Sequence, residues 1–478
     1  MSQRNSHRHW PRPMATEQRA AFSRQPRRTL AIATVALVLT WLGLTWLVLA
    51  KSLSYAVAET SPEFALWLNP SQPHALLTLA ERARAKLLKS IAADTEVTSS
   101  VDNAKEPADG DRASTRHGVS REPHDTAMDK ETLREEIRVL AGRVIANEPL
   151  EASAFRLLAE ATSEPAKLRP LMEAAMQRSR RESNAVFWLM NDSMTRKSFP
   201  DVIEKADILL RTRTQVGSYV LGYLDEIART PEGRALLIPV LAKNPPWRSA
   251  FLTTLPGHVR NAEAPLDVLL ALKESGSPPL ANELASYLNF LMSNKRPDVA
   301  YDTWLQFIPQ QQLASIGLLN NAAFAQKPSG FPFDWSFQSG QNTVVDFVPL
   351  RDQGGSRALR LGFGVGRVRF PEPSQVLLLA PGRYRLVGVF QGLLTAKRGL
   401  RWEFRCLEAN NLLSETEMIY GVIKGGRDFT LDVNVPDSEG CRAQRLRLYH
   451  HARSPSEELI SGEILFRSLN LLRLDQLG

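Results

Sequence analysis

Few residues of this chain combine a chemically active type with a spacing that could support a reaction. The glycine-rich run Gly362-x-Gly364-x-Gly366 follows a strand-like stretch. A phosphate-binding loop needs a helix directly after its glycines, because backbone N–H groups and the helix dipole then meet the anion. Residues 367–371 (RVRFP) instead have the pattern of another strand. We therefore interpret the glycines as a bend or bulge and expect no nucleotide site.

Motifs of metal-dependent and nucleophilic enzymes are missing from the sequence, which contains no H-E-x-x-H, G-x-S-x-G or C-x-x-C. Two cysteines also argue against a thiolate zinc site. His450 and His451 are adjacent near a strand, where neighbouring side chains point to opposite faces and would not bind one metal together. We expect no metal, no cofactor and no enzymatic activity. A pair of catalytic carboxylates from distant strands stays open, because a sequence does not reveal it.

A stripe of aromatic residues alternates between positions 331 and 337, and it has two interpretations. In a core strand, the stripe would bury four rings. As an exposed platform, it could stack against sugar rings. We favour the core, because four exposed aromatic side chains would promote aggregation, but the platform remains an alternative. The four residues are Phe331, Phe333, Trp335 and Phe337.

An uncharged apolar run extends from Thr29 to Ala50, and it determines on which side of a membrane the segments before and after it would lie. It is about the length that a helix needs to cross a hydrocarbon core of roughly 30 Å, and such a segment must be helical to satisfy its backbone groups. Seven arginines and one acid, Glu17, precede it. This basic flank predicts a single-pass membrane protein with a cytoplasmic amino terminus and the bulk of the chain on the other side of the membrane. The alternative is a signal peptide cleaved near Ala56-Val57-Ala58.

The charge of the chain is concentrated in that basic flank. The net charge is +8, and residues 1–28 account for +6 of it. The remaining +2 is spread over the rest of the chain, so we expect no nucleic-acid partner and instead a contact of the arm with the membrane. The arm is polar and arginine-rich, which predicts a disordered cytoplasmic segment.

The two cysteines, Cys406 and Cys441, lie near the end of the chain. Two thiols in one small domain outside the cytoplasm are usually paired. We therefore predict a disulfide between them. The closed loop of about 35 residues would contribute roughly 3–4 kcal/mol in the chain-entropy model.

A helical region follows the predicted span, and one of its patterns occurs twice. The spacing P-x4-A-x3-L-A-E begins at Pro70 and again at Pro149. It predicts a helix that ends before the proline and a following helix with small alanine faces, which resembles tetratricopeptide-type helix pairs. We expect membrane-proximal helices at 51–90, a disordered polar linker at 91–128 and an α-helical repeat-like domain at 129–318.

After Leu319 the hydrophobic period changes from 3.6 to 2, and glycine and proline turns separate short strands. This predicts a β-sandwich of the jelly-roll type at 319–478. The segment Phe333-Asp334-Trp335 and the turn Pro381-Gly382 before Tyr384 resemble carbohydrate-binding modules. The fold class is therefore multidomain: a single transmembrane helix, an all-α helical-repeat region and a C-terminal β-sandwich.

Anchor, helical repeats and sandwich together resemble bacterial membrane proteins associated with exopolysaccharide production. That resemblance implies a single-pass inner-membrane protein that acts as a non-enzymatic periplasmic scaffold or glycan-binding component, with envelope proteins and a polysaccharide as partners. The alternatives are a purely protein-binding structural role or a glycan-modifying enzyme. If a glycan binds, we expect contacts from Trp335 first and Tyr384 second, with Arg398 and Arg401 nearby. Aromatic faces suit sugar rings, and the planar arginine fork suits hydroxyl and carboxylate oxygens.

Overall fold

The computed structural model describes residues 27–102, 123–258, 263–338, 340–350 and 356–474. The predicted disordered arm lies almost entirely outside these residues. The chain divides into two compact units, the first ending at Ala185 and the second beginning at Val186. The predicted boundaries at 128 and 318 do not coincide with this division. Each unit is described by itself.

The first unit begins with helix α1, Arg27–Ala56. Its segment Thr34–Ala56 is long and apolar enough to cross a membrane, and the 18-residue apolar stretch within it is not buried in the protein. Such a helix near the amino terminus fits either an anchor or a signal sequence. The helix extends beyond the predicted span at 29–50, since residues 51–56 (KSLSYA) include no helix-breaking glycine or proline.

The other helices of this unit are α2 (Pro62–Leu68), α3 (Pro73–Asp102), α4 (Pro123–Asn147), α5 (Ala152–Glu160) and α6 (Pro165–Arg178). The prediction of a disordered linker at 91–128 is wrong at both ends, because α3 continues to Asp102 and α4 begins at Pro123. Residues 91–102 contain no proline or glycine, so the helix can propagate. Residues 103–122 lie outside the described part.

Helices α3 and α4 share one core with α5 instead of belonging to separate domains. Leu76 and Leu87 of α3 pack in the same cluster as Ile137 and Val144 of α4 and Leu157 of α5. The repeated sequence pattern explains part of this packing. Its alanines at equivalent positions, Ala75 and Ala154, are both fully buried, as small residues at close helix contacts should be.

The helices that follow are α7 (Ser183–Thr195), α8 (Phe199–Thr212), α9 (Gly217–Ala228), α10 (Pro231–Leu241), α11 (Arg248–His258), α12 (Glu263–Glu274), α13 (Ala281–Ser293), α14 (Pro297–Phe307) and α15 (Gln310–Leu313). Proline occupies the first or second position of α8, α10 and α14, where its missing N–H costs no helical hydrogen bond. The region is all-α as predicted. A regular tetratricopeptide-like array stays a prediction.

The chain ends in an antiparallel β-sandwich, as the alternating pattern predicted. Its strands are β1 (Thr343–Pro349), β2 (Arg357–Phe363), β3 (Ser374–Leu377), β4 (Gly382–Ala396), β5 (Leu400–Cys406), β6 (Leu412–Glu415), β7 (Gly421–Val435), β8 (Gln444–His450) and β9 (Ile460–Arg473). One sheet has the order β1-β2-β9-β4-β7 and the other has the order β3-β8-β5-β6. One hydrophobic core collects side chains from both sheets.

The aromatic stripe at 331–337 does not form a ladder strand. Residues 331–334 make a turn in which the Asp334 N–H donates to the Phe331 carbonyl, and Asp334 also accepts hydrogen bonds from Ser329. Pro332 has no N–H to offer a ladder, which favours the turn. The expectation of a regular strand here is therefore wrong, although Phe333 and Trp335 are buried as core residues.

The predicted disulfide is confirmed. Cys406 is the last residue of β5, and Cys441 lies in a short 3-10 turn before β8. Their Cα atoms are 4.6 Å apart. The bond therefore ties the end of one central strand to the start of its neighbour in the four-stranded sheet.

Candidate functional site

Two of the four predicted glycan contacts are core residues. Trp335 is 0% exposed, and its indole Nε1 donates to the Asn321 carbonyl at 3.1 Å. Tyr384 is 1% exposed, and its hydroxyl donates to the Ala380 carbonyl at 2.8 Å. A ring without exposed surface cannot stack on a sugar, so the assignment of both residues as contacts is wrong. They were selected for their type and proximity to turns, which do not reveal burial.

The two predicted arginines lie in different places. Arg398, between β4 and β5, has its Nε 3.0 Å from Glu457 Oε2, and its backbone carbonyl contacts His450 Nε2 at 3.0 Å. Arg401 lies on β5 and forms an ion pair with Glu415. The four predicted residues therefore do not form one site, but Arg401 belongs to a group of charged residues described next.

The outer face of the four-stranded sheet carries this group, because every second residue of β5 and β8 points away from the core. Leu400, Trp402 and Phe404 are buried, so the residues between them face outward. The register places Glu403 opposite Arg447. We call the outward side chains of these two strands the arginine face. Its residues are Arg401, Glu403, Arg405, Arg445, Arg447 and Tyr449.

A buried carboxylate organises the arginine face. The side chain of Glu403 is 3% exposed and accepts hydrogen bonds from Arg405 Nε at 2.8 Å and from Arg447 Nε. Arg447 also donates from Nη1 to Glu372 Oε2 at 3.0 Å. A buried charge needs such partners, since removing an unpaired carboxylate from water is costly. Glu403 therefore holds the guanidinium groups of Arg405 and Arg447 in fixed positions on the sheet.

Arg445 differs from the other arginines of this face. Its side chain is exposed, and no carboxylate of the described residues lies within ion-pair distance of it. The pKa of Arg445 lies below its usual range, because its guanidinium loses hydration and because the charge of Arg447 is close. The group stays protonated at neutral pH, as arginine does in proteins. Glu372 acts on Arg445 only from beyond ion-pair distance, so an anion bound at Arg445 would meet a positive charge that no carboxylate pairs directly.

Tyr449 adds an aromatic group to the same face. Arg447 Cζ lies 4.3 Å from the centroid of its ring, which is a cation–π arrangement. The register places Tyr449 opposite Arg401. This half-buried ring is fixed between charged neighbours at one end of the face. The arginine face therefore combines a tyrosine in contact with a guanidinium group, three arginines in ion pairs with glutamates and one arginine without an ion pair among the described residues.

The sequence contained a signal for this face, although it did not identify the site. Arginine recurs at alternating positions in both strands, as Arg401 and Arg405 in β5 and as Arg445 and Arg447 in β8. Alternation shows that these residues share a face of their own strand. It does not show that the two strands are neighbours, and pairing alone brings the four arginines together.

Other chemistry has little support in the described part of the chain. Within it, no group of three or more histidine, cysteine, aspartate or glutamate side chains could hold a metal ion. Gly366 has a φ of +108°, and residues 367–371 directly after it form no helix, so the glycine run makes a bend as expected. His450 is buried and the adjacent His451 is exposed, which agrees with opposite orientations.

Comparisons by sequence find no relative: no protein-family model matches the chain, and no curated protein matches it. Solved structures similar to it include CBM4, a carbohydrate-binding module, at 12% identity over 32% of this chain and 99% of that chain, with a TM-score of 0.24. TmCBM61 in complex with β-1,4-galactotriose is 17% identical over 33% of this chain and 99% of that chain, with a TM-score of 0.23.

A third similar structure is the module CBM6cm-2 of lichenase 5A from Cellvibrio mixtus, in complex with cellotriose. It is 12% identical over 29% of this chain and 91% of that chain, with a TM-score of 0.19. Likenesses of this size concern the β-sandwich fold alone. The ligand of the arginine face does not follow from them.

Proposed function

We propose that this protein is a membrane-anchored, non-enzymatic component of the cell envelope whose β-sandwich binds an acidic polysaccharide. The observation that carries the proposal is Arg445, an exposed arginine without an ion-pair partner among the described residues, beside Arg447 and Tyr449. The anchor would be α1, with a cytoplasmic amino terminus and the sandwich in the periplasm. The helical region would serve as a scaffold for partner proteins of the envelope.

The chemistry of the arginine face suits a polymer of acidic sugars. A guanidinium group presents a planar fork of donors that matches a carboxylate. Tyr449 offers an aromatic edge beside that fork, and an extended sheet face can follow several sugar units of a chain. The charge balance supports an anionic ligand, because four arginines on this face meet three glutamates, Glu372, Glu403 and Glu415.

A binding role fits these carboxylates better than a catalytic one. Glu403 and Glu372 are both engaged by Arg447, and Glu415 is engaged by Arg401. A glycosidase needs two carboxyl groups free to donate a proton and to attack or activate water. Carboxylates that are occupied by arginine are better suited to fixing guanidinium positions. We therefore propose that the sandwich holds its glycan without cleaving it.

The test compares two exposed arginines of the same sandwich in the full-length, detergent-solubilised protein. Affinity electrophoresis would be run in gels that contain polygalacturonate, alginate or neutral dextran. We expect retardation by an acidic polymer, not by dextran, and a weaker effect at high salt. Arg445→Ala should weaken binding by about tenfold, the size of one charge-assisted contact of about 1.5 kcal/mol.

Arg427→Ala is the matched control. Arg427 is exposed on β7 of the other sheet, and the described residues offer it no ion-pair partner. Its removal lowers the net charge equally but leaves the arginine face intact. Equal loss of binding in both variants would show that binding depends only on the net charge of the protein, and it would refute the arginine face as a binding site. No retardation of the wild type by any acidic polymer would refute the glycan proposal.

A second candidate is a role limited to binding protein partners. A cavity of about 500 Å³ lies between α14 and the segment that leads into the sandwich. Its lining includes the apolar residues Trp304, Phe307 and Ile308 and the polar residues Asn320, Asn321 and Gln326. A cavity that combines apolar and polar groups suits a short peptide segment. Capture of the same partner by the wild type and by Arg445→Ala, without glycan binding in either, would favour this candidate.

A further inference from the structure

The connection between the apolar helix and the rest of the first unit is short and ordered by hydrogen bonds. The Val57 N–H donates to the Leu53 carbonyl at 3.1 Å, and the Ser61 N–H donates to the Val57 carbonyl at 2.9 Å. Helix α2 begins directly afterwards, at Pro62. No flexible linker therefore separates the end of α1 from α2, and the position of one fixes the position of the other.

Packing also fixes which face of α2 is turned outward. Ala65 of α2 is fully buried and shares a small core with Ala58 and Ala75. Tyr55 at the end of α1 packs edge-on against His74 of α3, with ring centroids 5.0 Å apart. The end of α1, α2 and the start of α3 therefore form one packed corner. The side of α2 opposite Ala65 is directed away from the protein.

This outward side carries two large aromatic residues that protein packing does not explain. Trp67 is 72% exposed and Phe64 is 45% exposed. They lie three residues apart, and their rings stack with centroids 5.8 Å apart and an interplanar angle of 17°. Tyr55, 64% exposed, lies at the end of the neighbouring α1. We call these three residues the aromatic corner. In a purely aqueous setting such a patch would be unfavourable.

The distance along α1 places the aromatic corner near a membrane surface. Lys51 is the first charged residue after the apolar run. From Lys51 to Ala56 the helix rises by about 7.5 Å, at about 1.5 Å per residue. The headgroup layer on each side of a bilayer is roughly 5–7 Å thick, from a hydrocarbon core of about 30 Å and a total of about 40–45 Å. If α1 spans the bilayer with Lys51 at the edge of the hydrocarbon core, Ala56 therefore lies at the outer boundary of the headgroup layer, and α2 packs next to this end of α1.

We propose that the aromatic corner is a lipid-contact surface, with Trp67 and Phe64 seated in the headgroup layer next to the end of α1. This inference rests on the proposed membrane anchor. Tryptophan and tyrosine favour this layer, because their rings are apolar at one end and polar at the other. The contact would fix the orientation of the first unit relative to the bilayer. Without it, the first unit would be attached through α1 but could change its orientation.

The continuity with α1 favours lipid over a protein partner as the occupant. The short connection between α1 and α2 would hold the aromatic corner against the bilayer. A protein partner would therefore have little access to this surface. The charged residue on this part of α2, Glu63, is turned to an ion pair with Arg82 of α3 at 3.4 Å. This arrangement leaves the stacked pair as the exposed apolar part of the helix.

The test uses single labelled cysteines in the full-length protein, reconstituted in phosphatidylcholine–phosphatidylglycerol vesicles. The two native cysteines are joined in the disulfide, so an added cysteine is the one reactive thiol. Trp67→Cys is labelled with an environment-sensitive fluorophore, and lipids with a nitroxide near the headgroup serve as quenchers. Leu42→Cys reports the interior of the span, and Lys167→Cys on α6 reports an exposed polar site of the same unit.

We expect shallow-nitroxide quenching and a blue-shifted emission at position 67, quenching by a deep nitroxide at position 42, and neither at position 167. Position 42 quenched with position 67 unquenched would overturn the lipid contact but keep the anchor. No quenching at position 42 would show that α1 does not span, which would refute the anchor and this inference with it. Equal quenching at positions 67 and 167 would overturn a specific aromatic contact.

As a measurement without a label, hydrogen exchange of α2 in the full-length protein in vesicles should be slower in the wild type than in the double variant Phe64→Ala, Trp67→Ala. Both residues are exposed, so the double variant should fold. Protection of α2 that is unchanged by the double variant would contradict the proposal.

Discussion

Trp335 lies edge-on to Trp402, with ring centroids 5.9 Å apart and an interplanar angle of 65°. Both side chains are fully buried. Phe466 of β9 also packs against Trp402, with ring centroids 5.3 Å apart. This row of rings connects the segment before the first strand, β5 of one sheet and β9 of the other. Trp335 therefore closes the sandwich core and does not present a ligand platform.

Trp335→Ala should destabilise the sandwich by about 3–5 kcal/mol, because it removes a large buried side chain and leaves a cavity. Chemical unfolding followed by near-ultraviolet circular dichroism would measure the change. Tyr420→Ala is the control, since Tyr420 is 58% exposed and should change stability by less than about 0.5 kcal/mol. A Trp335→Ala protein as stable as the wild type would contradict the core assignment.

Reduction of the Cys406–Cys441 disulfide should destabilise the sandwich. The bond joins residues separated by 35 positions, and a loop of that size corresponds to about 3–4 kcal/mol in the chain-entropy model. Thiol labelling after denaturation without reductant should find no free thiol, and reductant should release two. The double variant Cys406→Ala, Cys441→Ala should be insensitive to reductant. Free thiols in the untreated wild type would exclude the pairing.

Arg156→Met should strongly destabilise the first unit. Its side chain is 3% exposed and forms ion pairs with Glu81, Glu160 and Glu182 from three parts of the unit. Loss of the central cation removes the arginine partner of Glu182 and leaves Glu81 and Glu160 with Arg84 alone, at a cost of about 3–5 kcal/mol. Urea unfolding would measure it, and acidification should restore part of the stability by neutralising the glutamates.

Lys167→Ala is the control for this change. Lys167 pairs with Glu164 on the surface, where both side chains are about 60% exposed, and such pairs contribute at most about 1 kcal/mol. A similar loss of stability in both variants would argue against a special role for the buried arginine.

The stability of the sandwich should fall when the pH drops below about 6.5 because of His450. Burial lowers the pKa of its ring from the usual 6.5. The unfolded chain therefore takes up a proton on this histidine more readily than the folded protein. Stability from the neutral ring is present above pH 6.5 and is lost as the pH falls toward the lowered pKa.

His450→Gln should remove this pH dependence while keeping a donor for the Arg398 carbonyl. Thermal unfolding between pH 5 and 8 would measure it. His451→Gln is the matched control, because His451 is the exposed neighbour on the opposite face. A pH dependence that survives in His450→Gln but disappears in His451→Gln would refute the assignment.

A reporter that is active only outside the cytoplasm should be active when fused after Gly478 and inactive when fused before Thr29. The expectation follows from the seven arginines that precede the apolar helix. Deletion of residues 1–50 should release a soluble protein. Sequencing of the mature amino terminus provides the check, and a start at Glu59 would indicate a cleaved signal peptide.

The sequence alone was sufficient for the coarse architecture. An apolar run of fixed length, a change of hydrophobic period from 3.6 to 2 and two late cysteines are local signals, and each predicts its structure without knowledge of the neighbours. The helix over the run, the all-α region, the β-sandwich and the disulfide were predicted in this way. Alternation also indicated that Arg401 and Arg405 point away from the buried Trp402 and Phe404.

Only the tertiary structure decided which of these side chains are available for binding. A pattern that selects aromatic residues near turns cannot show whether Tyr384 and Trp335 are exposed. In the structure, strands distant in the sequence bury both side chains. Arg445 and Arg447 are equally placed within β8, yet only Arg447 meets carboxylates, which come from β5 and from the segment before β3. Burial and ion pairing depend on contacts between residues distant in sequence, and a local pattern contains no information about those contacts.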